Sequence, residues 1–361
     1  MHSLLPRQQF TQRRNALMQW MGEDSIAILP AAPQHIRNRD ADYKYRQDSD
    51  FYYLSGFPEP EAVLCLIPNR PLGEVVLFCR EKDKEKEIWD GYRAGLEGAI
   101  EQYGADESYP IAKLDEIMPT LMEGKKKLYV NLGGQAEFDN KVIVWLNSIR
   151  AKARQGAKAP AELLMLNHLL HELRLYKSAE ELAIMRKAAT ISANAHIRAM
   201  QATKAGMYEY ELEAELVYEF LRHGCSAPAY NTIVGSGANA CILHYIENRR
   251  QMQKGDLVLI DAGAELDNYA ADITRTFPVS GRFSGEQKAV YDIVLASQLA
   301  AIDAVHPDNH WDKPHSVAVE VLTQGLLDLG LLEGSLAGNI EQGTYREFYM
   351  HRTGHWLGMD V

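Results

Sequence analysis

Two aspartates, Asp261 and Asp272, lie in neighbouring strand-like runs, DLVLIDAG and YAADITRTFPV, with the turn-forming pair Asp267-Asn268 between them. Folded as an antiparallel hairpin with Leu266 and Asp267 at the tip, these runs bring Asp261 directly opposite Asp272. Side chains alternate along a strand, so Leu257, Leu259 and Asp261 share one face, and Asp272, Thr274 and Thr276 share a face of the partner. Directly opposed residues hold their Cβ atoms about 4.5–5.5 Å apart. Two carboxylates that close, at the end of an apolar run, repel and need a shared proton or a cation. The structural alternative makes Asp261 a cap at the strand end and leaves Asp272 exposed or paired with Arg275. A bend at Gly263 would also spoil the register.

A cation site draws on neutral donors as well, and histidine supplies them. His351 and His355 stand four apart in FYMHRTGHWLGMDV. On a helix that spacing puts both on one face, but Gly354 and Gly358 favour a loop or extended segment, where the two diverge. One then serves as a ligand and the other as a substrate contact. His244, in CILHYIEN, follows the Gly-Ser segment IVGSG and by itself reads more readily as structural. His306, His310 and His315 fall in HPDNHWDKPH, where two prolines break any regular spacing, so they read as a solvated loop. His223 sits near a helix C-terminus, where a dipole interaction accounts for it. An oxygen-rich site with one imidazole suits manganese, magnesium or another hard divalent ion. Two such ions about 3.5–4 Å apart activate water and polarise a carbonyl, which is hydrolytic chemistry.

The elements that must position these groups follow from periodicity. A capping box, Ser178 with Glu181, opens a helix expected over Ala179–Met200, and Gly206 ends that region. A second amphipathic helix is expected over Glu209–His223, with Leu212, Leu216 and Phe220 on one face. Further helices are expected over Gly285–Ala304 and around Val317–Leu329. The first half reads as mixed α/β, with strands at Ser25–Pro30, Ala62–Pro68, Glu74–Cys79 and Lys127–Asn131 and a helix at Lys113–Met122. The tyrosine-rich stretch from Tyr43 to Val63 reads as a loop leading into a strand. RAKARQGAKAP, residues Arg150–Pro160, reads as an exposed connector, and the domain boundary is set after it, near Leu170.

Composition excludes several classes. The chain has 361 residues, which suggests about two or three domains. Its 38 Lys and Arg against 49 Asp and Glu leave a net charge of −11, unfavourable for binding nucleic acid. The cysteines Cys65, Cys79, Cys225 and Cys241 are too scattered for a disulfide framework or a metal knuckle and suit a cytoplasmic protein with reduced thiols. No apolar run approaches the roughly 20 residues of a membrane span, and MHSLLPRQQFTQRR lacks the features of a signal peptide.

The runs DLVLIDAGAELDNYAADITRTFPV, YNTIVGSGANACILHY and MHRTGHWLGMDV together resemble the pita-bread metallopeptidases, and among them the bacterial-type Xaa-Pro aminopeptidases (aminopeptidase P). YRQDSDFYYLSGFPEPEAVL resembles that family's N-terminal, creatinase-like domain, and HELRLYKSAEEL the start of its catalytic domain. The resemblance runs along essentially the whole chain. It implies an α/β (α+β) protein: a creatinase-like mixed α/β domain over residues 1–170, then a pita-bread catalytic domain over residues 171–361. It implies a centre of two divalent metal ions, usually manganese, with Asp261, Asp272 and His355 as ligands and Asp272 bridging. His244 and His351 match the histidines that contact substrate and stabilise the tetrahedral intermediate. The implied reaction releases the N-terminal residue from peptides with proline second, by attack of a metal-bridging hydroxide. Implied too are assembly into dimers or tetramers and an N-terminal domain that narrows the mouth of the pocket.

The same resemblance implies a catalytic domain incomplete at its C-terminus. The family continues for roughly 80 residues past the point matching Val361, an ordinary extent for part of a domain. That stretch holds a further histidine and two glutamates that serve the metals and proton transfer. Four carboxylate oxygens and one imidazole nitrogen fall short of the roughly twelve positions two octahedral ions take, less the shared ones. Weakened metal binding and uncovered sheet edges are expected from an interrupted product of a longer gene. The related readings are prolidase, a dipeptidase, and an inactive pita-bread module that binds peptides or proteins. Creatinase-type chemistry fits less well, because it has no need of the aspartate pair.

Overall fold

Short aliphatic runs become the strands of the first half, and their apolar faces collect the helices. The computed structural model describes residues 3–361, and the chain divides into two units, Met1–Leu182 and Ala183–Val361. In the first, β1 (Ser25–Pro30), β4 (Val63–Leu66), β5 (Val75–Cys79), β6 (Glu107–Pro110), β7 (Lys127–Val130) and β8 (Glu162–Leu164) form one sheet in the order β6-β5-β4-β1-β7-β8. A two-stranded ribbon, β2 (Ile36–Asn38) with β3 (Ala41–Asp42), stands apart from it. β1 pairs antiparallel with β4 and parallel with β7, so the sheet is mixed. Ile26 and Ile28 of β1, Cys65 of β4 and Phe78 of β5 join one apolar cluster with α5 (Leu114–Met122) and α6 (Ala136–Ala151). Trp145 is the largest side chain there, and its indole N–H still reaches Asp115 Oδ1 at 2.9 Å.

The four strands and the helix expected here form with ends shifted by a residue or two, which is ordinary fraying. The stretch from Tyr43 to Val63 differs from expectation. It holds a short helix, α2 (Ser49–Ser55), whose start is fixed by Asp48 accepting the Phe51 N–H at 2.9 Å and whose end is Gly56 in a left-handed conformation. Helix α1 (Arg7–Met21) packs on α2 and on α7 (Leu166–Leu175). Arg14 of α1 is buried and donates to the carbonyls of Leu54 at 2.8 Å and Gly104 at 3.3 Å. Burial lowers its pKa to about 10, so it stays charged at neutral pH and holds two loop carbonyls. The short helices α3 (Lys84–Asp90) and α4 (Gly95–Glu101) complete the unit. The segment read as an exposed connector follows α6, and its Ala157 and Ala159 pack on the apolar cluster.

Helix α8 (Ala179–Ala202) begins at the expected capping box: Ser178 N–H donates to Glu181 Oε2 at 2.8 Å, and Glu181 N–H to Ser178 Oγ at 3.2 Å. α9 (Glu209–Arg222), α10 (Gly285–Asp303) and α11 (Lys313–Asp328) also form where periodicity put them, and a short α12 (Leu336–Gln342) follows. Between α9 and α10 lie β9 (Ala227–Pro228), β10 (Ile233–Ser236), β11 (Leu257–Asp261), β12 (Ala264–Leu266), β13 (Tyr269–Ala270) and β14 (Thr274–Pro278). They make two small antiparallel sheets, β10-β11-β14 and β13-β12-β9. One hairpin runs through both. Its register is constant from Leu266 opposite Tyr269 down to Leu257 opposite Pro278.

That register corrects the expected one. The tip is Asp267-Asn268, not Leu266-Asp267, and both tip residues take positive φ, 50° and 65°. Two left-handed residues in a two-residue loop are the turn that matches strand twist, and Asp and Asn tolerate it best after glycine. Asp261 therefore faces Thr274, and Asp272 lies two positions nearer the tip, level with Gly263. The partner of each residue shifts by two positions, so both aspartates keep the same face, as diagonal neighbours.

The hairpin is pinched in its middle. A Cβ on Gly263 would lie 1.6 Å from the Ala271 carbonyl oxygen, so only glycine fits, and ladder bonding breaks there into the two sheets. Among the described residues no helix is long and apolar enough to cross a membrane. The cysteines are free thiols, and burial raises Cys79 to about 12 and Cys225 to about 11, which makes both inert core residues. Replacing Gly263 with alanine should cost about 2–3 kcal/mol or more, because the clash is with backbone that cannot rotate away. A urea midpoint shift with an unchanged slope is the expected reading, and a wild-type midpoint would contradict the pinch.

Candidate active site

The broken hairpin delivers both aspartates to one hydroxyl group. Tyr230 Oη lies 2.6 Å from Asp261 Oδ1 and 3.0 Å from Asp272 Oδ1. Tyr230 sits between β9 and β10, and the pairing of Ile233 with Asp261 carries it to that place. Thr274 stands directly opposite Asp261, and its hydroxyl helps to hold down the Asp261 pKa. Behind the strand break, the buried His196 of α8 places Nε2 3.1 Å from the Ala262 carbonyl, one residue past Asp261. Burial holds the His196 imidazole below its ordinary pKa, so it is neutral there.

One phenol proton cannot satisfy two carboxylates at once. Burial raises the Asp261 pKa, the Tyr230 hydrogen bond opposes that rise, and the negative charge of Asp272 adds to it. Tyr230 is itself pushed far above the ordinary phenol range by burial and by its bond to Asp261, so it remains a donor. The trio is thus short of positive charge, the condition in which a cation binds.

His355 completes the group from the C-terminal segment. Its Nε2 lies 3.1 Å from Asp272 Oδ2. The segment is extended and irregular, as Gly354 and Gly358 led one to expect, and Ala270 N–H to the Gly358 carbonyl at 2.8 Å ties it to β13. His351 makes its contacts within its own segment: its Nδ1 lies 2.8 Å from the Arg352 carbonyl and its ring meets Tyr349 edge-on at 4.8 Å. His244 occupies an exposed turn after β10 and contacts neither aspartate. Arg275 turns to the Thr274 carbonyl at 2.8 Å and away from Asp272. His306 and His310 are solvent-exposed as expected, whereas His315 belongs to the first turn of α11, with Nδ1 2.8 Å from Thr353 Oγ1.

Among the described residues no three His, Cys, Asp or Glu side chains converge as a ready-made metal cage. Asp261, Asp272 and His355 are linked in a chain, with Tyr230 between the aspartates. The donor set, carboxylate oxygens with one imidazole, nevertheless fits a hard divalent ion. An open cleft of about 510 Å³ borders Tyr230, with Pro228, Thr232, Glu213 and Ile246 on its walls. Sequence reasoning missed Tyr230 and His196. No spacing rule ties Tyr230 to aspartates 31 and 42 residues further on, and only strand register does.

Comparison with known proteins agrees with this geometry. Residues 183–361 match the model of "Metallopeptidase family M24", and residues 10–129 match "Aminopeptidase P, N-terminal domain". The chain is 44% identical over 360 residues to the Xaa-Pro aminopeptidase of Escherichia coli K12, covering 99% of this chain and 82% of that protein. The structure of Pseudomonas aeruginosa aminopeptidase PepP superposes with a TM-score of 0.99 at 57% identity, covering 100% of this chain and 81% of that one. Zinc-substituted E. coli aminopeptidase P in complex with product gives 0.97 at 44% identity, with 99% and 81% covered. The mixed α/β first unit and the antiparallel, helix-backed second unit are therefore an aminopeptidase P N-terminal domain and a pita-bread catalytic domain, and the chain belongs to metallopeptidase family M24, in its aminopeptidase P branch.

Proposed function

We propose that this protein is a metal-dependent Xaa-Pro aminopeptidase, which releases the N-terminal residue from peptides whose second residue is proline. The observation that carries the reading is the chain of contacts from Asp261 through the Tyr230 hydroxyl to Asp272 and on to His355, in a chain 44% identical to the E. coli Xaa-Pro aminopeptidase. Family membership alone leaves prolidase as an alternative, and the N-terminal match to aminopeptidase P favours the aminopeptidase over it.

Asp261, Asp272 and His355 hold the metal, with Asp272 placed between the phenol on one side and the imidazole on the other. Two divalent ions of the manganese type, when bound, supply an activated water and a polarised carbonyl. The chain's own residues do the rest. Tyr230 keeps its proton and orients both carboxylates. Pairing with Thr274 and the His196 contact fix the strand that carries Asp261. The cleft beside Tyr230 has room for the end of a peptide. His244 and His351 bind the substrate and donate to the oxygen that gains charge at the scissile carbonyl. Cytoplasmic residence, assembly into dimers or tetramers, and the absence of nucleic-acid or membrane partners belong to the same reading.

The direct test is hydrolysis of Ala-Pro against Ala-Pro-Ala by protein dialysed and resupplied with manganese, with bound metal measured on the same sample. Release of alanine from the tripeptide supports the reading, and activity on the dipeptide alone replaces it with prolidase. Asp272→Asn should remove most of the bound metal and lower turnover by at least about a hundredfold. Near-normal turnover with metal retained would remove Asp272 from the ligand set. His351→Ala should lower kcat about a hundredfold while leaving metal content close to wild type. Loss of metal in that variant would make His351 a ligand.

A further inference from the structure

The first residue of α9 is a carboxylate that serves groups outside its own helix. Glu209 is 0% exposed. Its Oε1 accepts from the Ser236 N–H and Oγ, both at 2.7 Å, and from Asn239 Nδ2 at 3.4 Å. Its Oε2 accepts from the Tyr245 hydroxyl at 2.8 Å and from the Arg250 N–H at 2.9 Å. The Arg250 guanidinium goes instead to Asp256 at 2.5 Å and to the Ser236 hydroxyl at 2.8 Å. One helical turn further on, Glu213 accepts from Asn248 Nδ2 at 2.8 Å, and Asn248 Oδ1 takes the Val234 N–H at 2.9 Å. Residues four apart share a helix face, so α9 turns two carboxylates toward the single segment 245–250.

That segment carries the end of the turn on which His244 stands. The Tyr245 N–H closes the turn onto the Ile242 carbonyl at 3.3 Å. Ile242 and Leu243 are each 54% exposed, and His244 is exposed with them. Tyr245, by contrast, is buried and reaches inward to Glu209. An exposed turn with little packing of its own samples many orientations unless a flank is fixed. Burying a charge is costly, and hydrogen bonds to a carboxylate are shorter and stiffer than those to a neutral acceptor. Stiffness at this flank is what the buried charge provides.

We propose that Glu209, with Glu213 beside it, is the positioning residue for His244, fixing the turn 242–245 through the Tyr245 hydroxyl so that the imidazole is held toward the bound peptide. The proposal rests on the reading above that His244 contacts substrate. Every group that faces Glu209 is a donor. The isosteric change Glu209→Gln must therefore set an amide N–H₂ against donors on one side or the other.

The test uses two variants of the whole chain, Tyr245→Phe, which removes one hydroxyl and keeps the packing, and Glu209→Gln. Amide hydrogen exchange across residues 242–250 should speed up about tenfold in each. On Ala-Pro-Ala, kcat should fall about five- to tenfold with bound metal unchanged, and by less than about twofold when the same change is made in a His244→Ala background. Unchanged exchange in Tyr245→Phe overturns the proposal, and so does an equal loss of kcat in both backgrounds, because that loss does not pass through His244. A His244→Ala variant with wild-type kcat overturns the substrate role of His244 and with it the positioning role. Faster exchange in Tyr245→Phe would then show that the clamp exists and that the failure lies in the reading of His244.

Discussion

A single phenol proton faces two carboxylates, and the second unit is organised around that shortage. Asp261 and Asp272 could relax apart if their strands were free, but the hairpin is held at both ends and through its middle. The left-handed Asp267-Asn268 turn sets the register. The pinch at Gly263 brings one strand's backbone against the Ala271 carbonyl. The neutral His196 anchors the carbonyl that follows Asp261. The like charges are therefore kept together by covalent and backbone constraints, not by their own attraction, and the missing positive charge is left for a divalent ion to supply.

Both units use a buried ion with uncharged partners for the same mechanical purpose. In the first, Arg14 gives its guanidinium N–H groups to the carbonyls of Leu54 and Gly104. In the second, Glu209 accepts from the N–H groups of Ser236 and Arg250 and from the hydroxyls of Ser236 and Tyr245. A loop has few apolar contacts with which to order itself, and several bonds to one buried charge order it without adding a core. Each such residue is costly to change, since a lost partner leaves an uncompensated group inside the protein.

Much of this arrangement was legible in the residues, and the parts that were not have identifiable reasons. The long helices were readable because capping and period agree over many residues, as at Ser178 and Glu181 and along Leu212, Leu216 and Phe220. The aspartate pair was readable because strand alternation survives a register error of two positions. The register itself was misplaced because the choice between Leu266-Asp267 and Asp267-Asn268 as tip depends on backbone angles, with the better sequence signal lying in the Asp-Asn pair. Helix α2 was missed because seven residues are too few to show a period, and its signal was the cap at Asp48. Tyr230 and His196 reach the site only through the pairing of β10 with β11 and the packing of α8, which no local pattern encodes. The register runs through Gly263 unchanged, since the glycine absorbs the close approach of the facing backbone.

The bonds made by Glu209 and Asn248 have a consequence beyond the reaction. β10 is an outer strand of its sheet, paired with β11 on one side alone. The Val234 and Ser236 N–H groups on its other side are taken by Asn248 and Glu209. A strand whose outward donors are already engaged offers no template for a strand of another molecule. The same carboxamide and carboxylate that order a loop also close this edge of the sheet against intermolecular extension, so a protein that loses them would gain a route to aggregation even while its core stayed folded.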